Sequence, residues 1–340
     1  RSTAITMPSI EKTQNLLSNL VSTKILSGIQ VTSHVLGGVL NIGTFPLLSS
    51  VIPKNAKYKM RQDAGEAAIR GMNTAVLWSP FFVSFAVGQL YLPSQSAWLG
   101  IAFGLLVALI FNLISVRFLI GRFTLIYLLE AISCVKPIFP RLLILSLSVL
   151  AVGQIFDKTA LNAIVIVIPI LVVVQMFRRP ETIKAIISNL NNLILKSGDE
   201  MLLISVSMFL GSILSGSVEI QNFISNNVGN NFPFWAMIIL LPLIVWIFGL
   251  IGVHPIITSA PILSLFGPLL SVWEAAFLMQ AHLIGWCAGT AISFTSLSVL
   301  TTADNFRLSI SKLVFGPNLI ATGFLTFIGA LLLIILNYLL

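Results

Sequence analysis

Gly252-Val253-His254-Pro255-Ile256-Ile257-Thr258-Ser259-Ala260-Pro261-Ile262-Leu263-Ser264 lies inside a stretch, 233–266, that holds no Asp, Glu, Lys or Arg. Uncharged and strongly apolar, the stretch suits hydrocarbon, yet glycine, proline and serine break its helical continuity at Gly252, Pro261 and Ser264. The same spacing occurs earlier in the chain, at Gly37, Pro46 and Ser49. A second pattern follows each copy in matching register: Gly71, Ser79 and Ser84, then Gly285, Ser293 and Ser298. Helix interruptions at matching positions of two halves predict the binding site of a membrane transporter built from repeats.

Working outward, the composition agrees with a membrane setting. Charged residues are 9% of the chain and hydrophobic residues 57%. Soluble domains carry about 25% charged residues, so a water-soluble fold is excluded. Apolar stretches at 97–119, 160–176, 233–252 and 317–340 are long enough for helical crossings, and no alternating strands suggest a barrel. The net charge of +8 comes from Lys and Arg gathered in short loops, as membrane orientation requires, and not from a nucleic-acid patch. Cys134 and Cys287 have no metal-ligand spacing and read as buried apolar side chains.

The expected fold class is an all-α polytopic membrane protein made of inverted repeats. Residues 1–119 read as the C-terminal part of the first repeat. They comprise an interfacial helix at 5–23, a re-entrant hairpin at 24–52 entering from the cytoplasm, a broken span at 71–92 and a span at 97–119. Residues 120–140 read as a cytoplasmic linker with a surface helix at 121–133. Residues 141–340 read as the second repeat, with spans at 141–156, 160–176 and 200–216. An external hairpin at 233–268, a broken span at 272–300 and a last span at 317–340 complete it. Basic residues place loops 54–70, 120–140, 177–199 and 301–313 in the cytoplasm, where 180–198 has helical apolar spacing; loop 217–232, without Lys or Arg, reads as external. If the second repeat is the fuller, about three further spans are expected upstream of the first. The plasma (inner) membrane of a bacterium is the expected location.

Breaking a helix in hydrocarbon frees N–H and C=O groups, which is tolerated where they face a cavity. Half-helix N-termini attract anions and freed carbonyls hold cations. The candidate substrate and ion ligands are therefore Asn41, Thr44, Ser49, Asn73 and Ser79 in the first half. In the second half they are His254, Thr258, Ser259, Thr290, Ser293, Thr295 and Ser296. A Ser or Thr that merely bonds its own helix is the alternative for each. His254 is the ionisable side chain deepest in a candidate site, either titrating or capping the broken hairpin. His34 and His282 lie in apolar helices without a doubled motif and read as structural. Asp63, Glu66, Glu274 and Asp304 map near membrane surfaces, so no carboxylate pair is expected at the breaks.

The runs Asn41-Ile42-Gly43-Thr44-Phe45-Pro46, Gly71-Met72-Asn73-Thr74 through Ser84, 252–261 and Gly289-Thr290-Ala291-Ile292-Ser293 through Ser298 together resemble the ion transporter superfamily. That group holds the divalent-anion/sodium symporters, citrate-type carriers and ArsB-like oxyanion pumps. The resemblance is one of topology over about two-thirds of the chain. It implies a mobile transport domain moving against a scaffold within a homodimer. Na⁺ at the hairpin tips stays open on chemical grounds, because carbonyls and hydroxyls hold it without a carboxylate. The symporters' Ser-Asn-Thr signature is absent; Asn41 with Thr44, and Thr258 with Ser259, stand in the analogous places.

The expected function is secondary active transport of a small anionic or polar solute, coupled to Na⁺ or H⁺, by an elevator-like motion. A channel or uniporter using the paired hairpins is the alternative. An intramembrane enzyme is disfavoured, because no nucleophile–base pair or metal cluster is legible, and no other cofactor is expected. The partners expected are the bilayer, the solute and a second copy of the chain.

Overall fold

A computed structural model describes residues 8–20, 24–53, 55–120, 125–156, 158–184, 186–188, 198–224, 226 and 233–340. Every regular element among them is helical. The first group is α1 (Pro8–Ser18), α2 (Ile25–Leu40), α3 (Thr44–Ser49), α4 (Tyr58–Ala75), α5 (Val83–Tyr91) and α6 (Ser94–Ser115). A middle group follows: α7 (Leu125–Val135), α8 (Phe139–Ile155), α9 (Ala160–Arg178), α10 (Gly198–Gly216) and α11 (Val218–Ile224). The last group is α12 (Phe234–Leu250), α13 (Pro255–Phe266), α14 (Val272–Ile292), α15 (Leu297–Phe306), α16 (Ile310–Val314) and α17 (Pro317–Leu339).

Among the described residues, four segments are long and apolar enough to cross a membrane: Ile25–Ser49, Gln95–Ile120, Val272–Phe306 and Ile310–Leu339. A fifth forms if Leu129–Val135 and Phe139–Ile155 act as one span across their 69° bend. Large apolar side chains stand exposed along the helices, among them Leu109 on α6, Ile144 on α8, Phe209 on α10 and Phe324 on α17. Such a surface is stable in hydrocarbon and not in water. The protein is a membrane-embedded helical protein.

α14 is the central helix, packed by α12, α17, α6 and α4. Its start is fixed by a capping box, in which Ser271 accepts from the Glu274 N–H and the Glu274 carboxylate accepts from Ser271 N–H at 2.9 Å. From Ala275 to Gly289 it is wholly buried, and small residues let neighbouring backbones approach it. A Cβ at Gly285 would meet Pro242 Cα and Val245 Cβ of α12 at 2.9 Å. In the first group a Cβ at Gly71 of α4 would overlap the Gln30 carbonyl oxygen of α2. Gln30 and Val245 stand as far apart in the chain as Pro46 and Pro261 do. The glycine of each second motif thus marks a close crossing with the helix before it, α2 on α4 and α12 on α14. Contacts between the groups are also paired: α3 packs on α15, and α13 packs on α5.

The breaks fall where glycine, proline and polar residues interrupt the apolar runs. Asn41 has φ 52° and Gly252 φ 89°, both in the left-handed region. α4 and α5 part around Ser79-Pro80, and α14 and α15 part at Ser293–Ser296. Several boundaries differ from the sequence expectation. Ile25–Ser49 is a single 25-residue span-length segment with a 3₁₀ turn at Asn41–Gly43, where a hairpin over 24–52 is expected. Asn41 is the one residue there that leaves the helical region, and Thr44 resumes the helix at once. Residues 58–70, read from their charge as loop, are helical. Ala64, Ala67 and Ala68 favour helix and are buried, and Lys59 pairs with Asp63 one turn on at 2.8 Å. Most of 301–313 is helical as well, in α15 and α16. α7 packs on α2, and Ala131, Cys134 and Val135 of α7 are buried, so one of its faces covers protein. Residues 1–7, 21–23, 54, 121–124, 157, 185, 189–197, 225 and 227–232 lie outside the described set, with parts of the 5–23, 121–133 and 180–198 helices and of the 54–70 and 217–232 loops.

Candidate functional site

The breaks of the last group meet one another and α4. His254 sits in extended backbone at the N-cap of α13, where its Nδ1 accepts the Ile256 N–H at 3.3 Å; Pro255 takes the first helical position. Two residues earlier the Gly252 carbonyl accepts the Thr295 hydroxyl at 2.8 Å. Ser293 Oγ lies 3.1 Å from Thr295 Oγ1. Ser296 Oγ donates to the Thr290 carbonyl at 2.6 Å and accepts the Val299 N–H at 3.2 Å, capping α15. The Thr290 hydroxyl lies 2.7 Å from Asn73 Oδ1 of α4, and Ser298 Oγ lies 3.4 Å from the same oxygen. Thr290, Ser293, Thr295, Ser296 and Asn73 therefore form one hydroxyl, carbonyl and amide cluster. Trp286 stands edge-on between His254 at 5.5 Å and His282 at 5.4 Å.

The first-group residues make a smaller version. Ser79 Oγ donates to the Gly38 carbonyl and accepts the Phe81 N–H at 3.2 Å. In each group, then, a hydroxyl at the break of the long helix holds a carbonyl next to the preceding break, Ser79 on Gly38 and Thr295 on Gly252. Asn41 Oδ1 accepts its neighbour's Ile42 N–H at 2.7 Å. Thr44 is fully buried on α3 and its hydroxyl has no partner among the described residues.

Three predicted ligands bond their own helix. Thr258 and Ser259 donate to the Pro255 carbonyl at 3.0 and 2.8 Å, and Ser49 donates to the Pro46 carbonyl at 3.0 Å. His282 Nε2 lies 2.9 Å from the Ser84 carbonyl, while its Nδ1 has no partner among the described residues. Among the described residues no three His, Cys, Asp or Glu side chains converge as metal ligands.

The sequence missed a second polar centre beside the first. Arg70 of α4 is 4% exposed and forms no ion pair among the described residues. Its Nε donates to Gln30 Oε1 at 3.2 Å and its Nη1 to Asn318 Oδ1 at 2.8 Å. Gln30 passes the chain to Asn112 Oδ1 at 3.0 Å and to Ser115 Oγ. Asn112 Nδ2 donates to Thr74 Oγ1 at 2.9 Å. Trp78 Nε1 donates to His34 Nε2 at 3.2 Å, which puts the imidazole proton on Nδ1, 3.0 Å from Thr74 Oγ1. Glu66, one turn before Arg70, is 2% exposed and accepts from Gln62 at 2.9 Å. Single polar residues in otherwise apolar spans, Gln30, Asn112 and Asn318, were the signal. No protein-family model matches the chain, and no curated protein matches it either.

Proposed function

We propose that the protein is a secondary active transporter for a small anionic or polar solute, coupled to Na⁺ or H⁺ and working by an elevator-like motion. The observation that carries this reading is the cluster at Asn73, Thr290, Ser293, Thr295 and Ser296, where two helix breaks face a third helix. Hydroxyl and carbonyl oxygens without a carboxylate suit Na⁺, and His254 at the same break suits H⁺. Arg70, buried one turn from Asn73 and held by amide oxygens instead of a carboxylate, favours an anionic solute. The close crossings at Gly71 and Gly285, which hold the same place in their two motifs, and the exchanged contacts α3–α15 and α13–α5 support two repeats. Their inverted orientation rests on the positions of the basic residues. A likeness to the ion transporter superfamily, and with it a homodimer in a bacterial plasma membrane, belongs to the same proposal.

Uptake into proteoliposomes tests it, with a panel of small anions under imposed Na⁺ and pH gradients. Accumulation that collapses when one gradient is removed is expected, and it names the coupling ion. Flux that follows only the solute's own gradient would replace the reading with a channel or uniporter. Thr290→Val and Asn73→Ala are expected to abolish most accumulation in folded protein.

A further inference from the structure

A cavity of about 260 Å³ opens where α3, α4 and α15 end or begin, at the opposite end of α15 from its break. Ten residues of helix separate the two places, roughly 15 Å at 1.5 Å per residue. Ser49, Ser50, Arg61, Asn305 and Arg307 supply its polar wall, and Ile52, Pro53 and Phe306 its apolar wall. No Asp or Glu lines it among the described residues. Neither arginine forms an ion pair among the described residues. Arg61 Nε is buried without a hydrogen-bond acceptor among them. Arg307 is held in the left-handed region, φ 54°, by its N–H on the Ala303 and Asp304 carbonyls, so its position is set by the end of α15. The Arg61 guanidinium lies 5.7 Å from the Tyr58 ring centre and Lys312 Nζ lies 4.6 Å from it, which adds a third cation nearby.

Two arginines, Arg61 half-buried and Arg307 exposed, put like charge on the wall of one cavity, and a buried N–H without an acceptor costs free energy. One ligand relieves both: an anion with several acceptor oxygens, which guanidinium recognises as a fork. The volume lies below the roughly 300 Å³ at which pockets for drug-sized ligands begin, and well above the ~30 Å³ of one water. We infer that this cavity binds a phosphate-type oxyanion, gripped by Arg61 and Arg307. Free phosphate esters and anionic phospholipid headgroups offer that chemistry alike. The site lies apart from the break cluster, and its test reads binding, so it stands or falls separately from transport.

The experiment uses the full chain in uncharged detergent. Inorganic phosphate is titrated by calorimetry, and retention of phosphatidylglycerol against phosphatidylcholine is read by native mass spectrometry. Saturable phosphate binding that weakens at least tenfold in Arg61→Gln and in Arg307→Gln is expected if the source is a free oxyanion. Selective phosphatidylglycerol retention lost in both variants, without saturable phosphate binding, assigns the headgroup. Either ligand should also protect Arg61 and Arg307 together from an arginine-directed dicarbonyl in the unaltered protein, which decides the matter if a variant fails to fold. No binding of either ligand, or binding unchanged by both substitutions with no protection, would overturn the site.

Discussion

The crossing of α2 with α4 and the crossing of α12 with α14 use the same device and opposite chemistry. Each brings two backbones together at a glycine, Gly71 or Gly285. Around Gly71 the space is filled by Gln30, Ser33, His34, Arg70 and Thr74, joined in hydrogen bonds. Around Gly285 it is filled by Pro242 and Val245, Gly249 meets Gly289 one turn further on, and a polar contact of the same helix is Trp246 Nε1 to Thr322 at 2.9 Å. Backbone approach is therefore independent of which side chains seal it. The dry crossing is held by close packing and the wet one by a network in which each member depends on the next.

The largest effect should come from filling either crossing. Gly71→Leu and Gly285→Leu should each cost more than about 4 kcal/mol and leave no monodisperse folded protein by size-exclusion chromatography. Tolerance of one alone would show that the two crossings are not equivalent. Exchanging their chemistry comes next. Arg70→Met leaves Gln30 Oε1 and Asn318 Oδ1 without their donor and should cost roughly 2–4 kcal/mol in thermal unfolding. Val245→Gln buries an amide in the dry crossing and should cost about 1–3 kcal/mol. Stability unchanged by Arg70→Met would mean that the network is not what seals the first crossing. Thr290→Val should cost about 1 kcal/mol while removing most gradient-driven uptake, because it loses one hydrogen bond and one cluster oxygen. Thr258→Ala and Ser259→Ala should stay within about 0.5 kcal/mol and keep parental uptake. A large loss of uptake in either would return that hydroxyl to the site.

Much of the fold was legible because hydrocarbon imposes a simple rule on composition. The uncharged stretch around Gly252 and the breaks near Ser79-Pro80 and Ser293 could be read directly. The helix over 58–70 could not, because its lysines and arginines resemble a loop when counted. Only the spacing of Ala64, Ala67 and Ala68 reveals a buried face. In the site, hydroxyls at breaks were visible as residue types, but their direction was not. Thr295 turns outward to the Gly252 carbonyl, whereas Thr258 turns back on its own helix. Arg70 escaped notice because its partners come from α2 and α17, and nothing local in sequence announces a pairing across the bundle.

The bond from Arg70 to Asn318 spans 248 residues. At the ~5–20 residues per second of chain synthesis, on the order of 10–50 s pass between the making of the cation and the arrival of its acceptor. Through that interval the early helices carry a guanidinium that the first group alone satisfies only in part. Final closure of the α2–α4 pair should therefore wait on the emergence of α17. A ribosome-bound chain stopped before α17 should hold Arg70 open to water, and release of the full chain should bury it.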